Sequence, residues 1–496
     1  MRQPLVLFGT GLLTCALAAC GGSSSSDDDS VSILPSITPS AIPSATPTPT
    51  TQPSPTPTIV PSATPSMEPS PEPNAEFSST VETKRLFELV DFPVGVATET
   101  YTRGGKEQYA HDLVRTQGDL GDKRRAKVLQ HFNSISPTNA FKMKPLQREY
   151  REFYFGPCQK EFTARTSAED PMGTGDADCL LDFAEDNGID HVHLQSLVWY
   201  VQQPNWMRGG KLQETLEAQK AADPNFDFDG TADREEYLAE MEYHIEQTMC
   251  AFADRIDSIV VVNEAFSDYG YNGNTKANPS GLRSADDSPN DDHSKRLYWA
   301  DRIGSDYIEL AFFKAQEALD NTTCRTGSND VDLYINDYQL VVNSAKRRVF
   351  LDYINNFLDA DREGGAVPID GIGIQMHFDQ TFNSSFTADN IRVGLKELVA
   401  TGLKIRFTEI DVRGDIDKNG TLSESELALQ KDKFKDILTV FMEEVPPAQR
   451  GGIAFWGMAD RWSWLDTMPL LFDNNMDEKP ALQGVAEGMK ATYQEK

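Results

Sequence analysis

Eight short apolar runs, each separated from the next by a stretch of at least helical length, constrain the fold more than any other feature of the chain. They are Phe92–Ala97 (FPVGVA), His131–Ser136 (HFNSIS), His191–Trp199 (HVHLQSLVW) and Ile256–Glu264 (IDSIVVVNE), then Val331–Asp337 (VDLYIND), Ile369–Phe378 (IDGIGIQMHF), Leu403–Val412 (LKIRFTEIDV) and Gly451–Asp460 (GGIAFWGMAD). Most lack the strict alternation of a half-solvated strand, and they read as strands covered on both faces. Segments between them, such as SDYIELAFFKAQEAL from Ser305, repeat apolar residues at helical spacing. Alternation of this kind predicts a parallel sheet, and eight repeats favour a closed (β/α)8 TIM barrel, an α/β fold. An open doubly wound sheet is the alternative, but no Gly-rich phosphate turn follows the first run. A barrel usually takes about 250 residues, so a chain of 496 needs long loops, for which Tyr150–Ala177, Arg208–Arg234 and Ser267–Lys295 are the candidates.

The barrel is expected to begin only after two other segments. Residues 1–20, MRQPLVLFGTGLLTCALAAC, combine one positive charge at Arg2, an apolar run too short to span a membrane comfortably, and small residues before Cys20. They read as a secretory signal whose end, LAAC, resembles a bacterial lipobox. Cys20 would then carry the lipid, and Gly21 after it points by analogy to outer-membrane sorting. An ordinary signal peptide with a chance cysteine is the alternative, and in that case the protein is secreted. A lipid would anchor the protein without making it span the membrane. Residues 21–78, rich in Pro, Ser and Thr, cannot bury a core and favour extended conformations. Residues 79–496 are expected to form one large domain, the barrel.

A net charge of -31 argues against a polyanionic partner such as nucleic acid. Four cysteines remain beyond the leader, an even number in an exported chain. Three pairings exist, of which Cys158 with Cys179, flanking one insertion, and Cys250 with Cys324 are favoured over free thiols. His191 and His193 lie two apart on a predicted strand, but with no third ligand in view a structural part is favoured over zinc.

Barrel chemistry gathers at the C-terminal strand ends. There the chain places Asn139 and Lys142 (second run), Gln195, Trp199 and Gln202 (third), and Asn263 and Glu264 (fourth). Asn336, Asp337 and Tyr338 (fifth), Gln375 and His377 (sixth), Glu409 and Asp411 (seventh) and Trp456 (eighth) follow. A single strand-end carboxylate can be only a turn former. Two glutamates among amides and indoles suit glycoside hydrolysis, in which one acid protonates the leaving oxygen and the other carboxylate attacks or activates water.

VVNEAF, TEIDV, YINDYQ, GIGIQMHF, FWGMADRWSW and PLLFDNNMDEKPAL together resemble glycoside hydrolase family 10, the endo-β-1,4-xylanases. The resemblance implies that Glu264 is the general acid/base and Glu409 the nucleophile of a retaining hydrolase acting on xylan or xylo-oligosaccharides. His377 would hydrogen-bond the nucleophile and Asn263 would contact the sugar beside the scissile bond. Asn139, Lys142, Trp199, Gln202, Gln375, Trp456 and Trp464 would line the glycone side, with Gln195 and Tyr338 as further substrate contacts. Asp411 would support the nucleophile. Retention asks for carboxyl groups ~5 to 5.5 Å apart, inversion for ~6.5 to 9.5 Å. No cofactor is expected for catalysis, and the protein is expected to be a monomer.

This chain also departs from the family pattern. GHTLVWH is replaced by LQSLVWY and AENEMKW by PTNAFKM, so Gln195 and Tyr200 stand in place of histidines, Thr138 in place of a glutamate and Met143 in place of a tryptophan. Substrate preference on the glycone side is therefore open. A hydrolase or transglycosylase for another β-glycan, or a carbohydrate-binding protein without turnover, are the alternatives.

A second motif follows the nucleophile candidate. Asp415, Asp417, Asn419, Gly420, Thr421 and Glu426 fit D-x-D-x-N-G-x5-E, the spacing of a calcium loop, with the Thr421 carbonyl as one ligand and Ser423 acting through water. A strand rather than a helix enters it, so this is half an EF-hand at most. The alternative is an acidic turn capped by Ser423 to Glu426.

Overall fold

A computed structural model of the protein describes residues 85–98, 113–114, 118–137, 139–155, 158, 176–272, 280–287, 292–325, 327, 329–379, 386–416 and 420–493. Cys20, the predicted leader, the linker and Thr138 lie outside these residues.

All eight expected strands form: β1 Val94–Ala97, β2 Ser134–Ser136, β3 His191–Trp199, β4 Ser258–Asn263, β5 Asp332–Asp337, β6 Gly371–Ile374, β7 Lys404–Arg413 and β8 Arg450–Phe455. Each pairs in parallel with its sequence neighbours, and Val94 of β1 opposite Ile453 of β8 closes the ring. A helix follows every strand, namely Gly118–His131, Asp176–Asn187, Arg234–Phe252, Tyr307–Asp320, Ser344–Phe357, Ala388–Val399, Glu424–Glu444 and Pro480–Gly488. The chain is thus a (β/α)8 barrel.

Local sequence accounts for these elements. Arg234–Phe252 starts at a capping box of Asp233 and Glu236 and buries Tyr237, Met241, Ile245, Met249 and Phe252, one stripe at helical spacing. Asn343, Thr387 and Ser423 cap later helices through their side chains. β4 is buried at every position, as its unbroken apolar run requires. No described helix is long and apolar enough to cross a membrane.

Two expectations are corrected. The run Ile369–Phe378 is not one strand: after Ile374 the chain leaves the ladder, Met376 takes φ +62°, and His377–Asp379 pairs again with Asp411–Arg413 of β7. The insertion Arg208–Arg234 is not all loop, because LQETLEAQKAA contains strong helix formers and Leu212–Ala222 coils, burying Leu212 and Leu216.

Both favoured disulfides are present, Cys158–Cys179 and Cys250–Cys324. The two strand histidines share no site. His191 is partly exposed near Asp257, whereas His193 is buried inside the barrel with Nδ1 2.7 Å from Ser258 Oγ. Burial, reinforced by Arg406, lowers the His193 pKa far enough to keep it neutral.

Candidate active site

The C-terminal ends of β4 to β7 carry the two glutamates. Glu264 ends β4's run one residue past Asn263, is 3% exposed, and adopts φ +54°, a region disfavoured for a side chain with a Cβ. Glu409 lies within β7 and is 4% exposed.

Amides join them. Asn336 Nδ2 donates to Glu409 Oε1 (2.9 Å) and to Asn263 Oδ1 (2.8 Å), while Asn336 Oδ1 accepts from Thr408 (2.8 Å). Those three partners fix which way the Asn336 amide points. Gly373 on β6 makes room for it, since a Cβ there would stand 2.4 Å from Asn336 Oδ1. Asn263 Nδ2 reaches Glu264 Oε1 at 3.4 Å, and Gln375 Nε2 donates to the same oxygen at 2.8 Å. Two asparagine side chains in series therefore connect the two carboxyl groups.

Glu409 has a cationic neighbour. His377 Nε2 stands 3.2 Å from Glu409 Oε2 and its Nδ1 2.9 Å from Asp411 Oδ2, which also accepts from Trp464 Nε1 at 2.8 Å. Burial opposes the imidazolium, but Asp411 and Glu409 outweigh it and push His377 up to about 10. Burial raises the Glu409 pKa, and His377 works against that rise. The break at Met376 lets Gln375 serve Glu264 while His377 serves Glu409.

The remaining predicted residues lie at or past C-terminal strand ends, except Gln195, which lies in the middle of β3 opposite Val260. Lys142 Nζ lies 3.2 Å from Asn139 Oδ1 and 4.6 Å from the Trp199 ring centroid. Gln202 follows with φ +61°, and Trp456 and Trp464 meet the His377 ring edge-on at 6.4 and 5.2 Å. Gln195 Nε2, Trp199 Nε1 and Glu264 Oε2 are buried and find no hydrogen-bond partner among the described residues. Polar groups of this kind are costly unless something else satisfies them. The Tyr338 hydroxyl, one residue past β5, is instead taken up by Asp268 (2.6 Å) and Arg283 (2.6 Å). Of the departures from the family pattern, Met143 is buried in the core and Tyr200 stacks on Tyr298 at 5.6 Å.

Reasoning from sequence missed Arg283, Asp268 and Lys346. Arg283 and Asp268 sit in an irregular insertion and Lys346 on a helix, so no periodicity or motif spacing singles them out.

The calcium motif is only partly described, with Asp417 and Asn419 outside the described residues. Gly420 takes φ +76°, as the sharp turn of such a loop requires. Ser423 Oγ accepts from Glu426 N at 3.2 Å, so that hydroxyl caps the helix Glu424–Glu444. Among the described residues no three His, Cys, Asp or Glu side chains cluster as a metal site would.

Comparison with known proteins places this geometry. Residues 105–488 match Glycosyl hydrolase family 10. The chain is 28% identical to endo-beta-1,4-xylanase Xyn10C of Cellvibrio japonicus, over 84% of this chain and 59% of that protein. It is 30% identical to endo-1,4-beta-xylanase A of the same species, over 82% of this chain and 56% of that protein. It thus spans less than two thirds of the length of these relatives. Among solved structures, xylanase 10C of Cellvibrio japonicus in complex with xylopentaose superposes with a TM-score of 0.61 at 27% identity, covering 83% of this chain and 70% of that one. Native xylanase 10B of Thermotoga maritima gives 0.58 at 25% identity, covering 82% and 98%. With the match extending over most of the barrel, the chain belongs to glycosyl hydrolase family 10.

Proposed function

We propose that the protein is a retaining endo-β-1,4-xylanase, with Glu264 as general acid/base and Glu409 as nucleophile. The observation that carries this reading is the pair of buried carboxylates linked through Asn263 and Asn336, one with an oxygen that has no hydrogen-bond partner among the described residues and the other held by His377. The xylanases among the relatives support xylan as the substrate.

In the first step a Glu409 oxygen attacks the anomeric carbon, the bond from that carbon to the glycosidic oxygen breaks, and the Glu264 proton passes to the departing oxygen. In the second, water attacks the same carbon, Glu264 takes its proton, and Glu409 leaves as carboxylate. The His377 imidazolium favours the ionised form of Glu409 that the attack needs. The Asn336 amide, already oriented by Thr408, holds that carboxylate without reorganisation. Gln195 Nε2 and Trp199 Nε1 supply unused donors for sugar hydroxyls.

Proton NMR of xylo-oligosaccharide hydrolysis tests the reading: the β-anomer of the new reducing end should appear first. An α-anomer first would sink retention, and release from another β-glycan but not from xylan would favour the alternative substrate.

We also infer a structural calcium ion in the loop after β7, held by Asp415, Asp417, Asn419, the Thr421 carbonyl and Glu426. An all-oxygen donor set suits this hard cation, and the left-handed Gly420 supports the turn it needs. The ion would stiffen the loop and take no part in the reaction. Adding a chelator should lower the melting temperature and excess calcium should restore it. An unchanged melting curve would exclude the ion.

A further inference from the structure

We infer that Arg283 is a positioning residue for the general acid/base, gripping the backbone on which Glu264 stands. The inference rests on the assignment of Glu264 as acid/base above.

Glu264 occupies a left-handed conformation that its own side chain disfavours, so something outside the residue must hold it. Its N–H is held by the Asn336 carbonyl at 2.9 Å. On the other side Arg283 donates to the carbonyls of three successive residues. Arg283 Nε donates to Glu264 O (3.0 Å), the Arg283 backbone N–H to Ala265 O (2.7 Å), and an Arg283 terminal nitrogen to Phe266 O (3.1 Å).

The guanidinium is itself immobilised. Arg283 is 6% exposed, its charge lies over the rings of Tyr200 (4.8 Å) and Tyr338 (5.4 Å), and the same terminal nitrogen reaches the Tyr338 hydroxyl and Asp268. Lys346 fixes Asp268 in turn at 2.9 Å. Tyr200, standing in place of the family's histidine, thus gives Arg283 an aromatic face to stack on.

This arrangement needs a planar fork that can serve several acceptors while stacking on an aromatic face, which arginine has and lysine lacks. It contributes no group to the reacting atoms. What it controls is where the Glu264 proton sits relative to the leaving oxygen, and small misplacements of this kind are costly.

The test separates proton delivery from folding. In Arg283→Lys, kcat/KM on xylotetraose, whose leaving oxygen must be protonated, should fall about 10- to 100-fold, part of the ~10²- to 10⁴-fold that general acid catalysis contributes. On 2,4-dinitrophenyl β-xylobioside, whose leaving group departs as the anion, kcat/KM should stay within about twofold, because that ratio reports only steps through glycosylation. Tyr338→Phe, which removes one partner and keeps the ring, should show a smaller loss of the same selectivity. Equal losses on both substrates, or no loss on either, in both variants would overturn the inference. Glu264→Ala run in parallel must show the selective loss more strongly. If it does not, the acid/base assignment fails, and this inference falls with it.

Discussion

Glu409→Ala should lower kcat on xylan by about 10⁴-fold or more, about 5 kcal/mol of activation free energy. The carboxylate is the only proposed source of a covalent bond to the anomeric carbon, and no side chain beside it can take over. His377 is cationic and Asn336 is a neutral amide whose donors are already aimed at Glu409 and Asn263. The loss should not come from unfolding. Burial raises the Glu409 carboxyl's pKa, so stability is lost as pH rises from the unfolded carboxyl's value to that raised value, and removing the carboxyl relieves that cost. The melting temperature should therefore stay within about 3 °C of wild type. Glu264→Ala should differ in kind: azide, which needs no general base, should restore turnover on an activated aryl xylobioside there but not in Glu409→Ala. Comparable turnover in wild type and Glu409→Ala would remove the mechanism altogether.

What the sequence makes legible follows from where the physics is periodic. Strands covered on both faces must be apolar throughout, so Ser258–Asn263 announces itself, and Glu264 is conspicuous as the first charge after it. Asp233 with Glu236 marks a helix start by spacing alone. The break at Met376 is invisible at this level, because IDGIGIQMHF has no proline and its glycines fall before the break. The partners of Tyr338 are hidden for a related reason. A tyrosine after a strand end reads as a sugar contact until a distant arginine and aspartate are seen to occupy its hydroxyl. Arg283 is the extreme case, since the groups it grips around Glu264 are carbonyls, which every residue owns and no sequence pattern reveals.

That network also predicts a stability effect. Lys346 and Asp337 are both fully buried with Nζ 2.6 Å from Oδ1, so Lys346→Met should destabilise the protein by about 3 to 5 kcal/mol by stranding a buried carboxylate. Burial already raises Asp337 to about 6 despite Lys346 and Arg283. Without Lys346 its folded pKa rises further. The unfolded carboxyl titrates near ~4, so between that value and the folded pKa the native state binds more protons than the unfolded state, and stability falls as pH rises. The deficit of Lys346→Met should therefore be modest at pH ~5 and larger at pH ~8, growing as pH rises from the wild-type Asp337 value towards the higher value of the variant. Adding Asp337→Asn should recover part of it at the higher pH, because an amide oxygen can still accept from the Tyr338 or Phe266 N–H without carrying charge. Denaturant melts of the single and double variants at both pH values check this. A deficit independent of pH would mean that Lys346 contributes through its packing over the Tyr338 ring, 3.4 Å away, rather than through its charge.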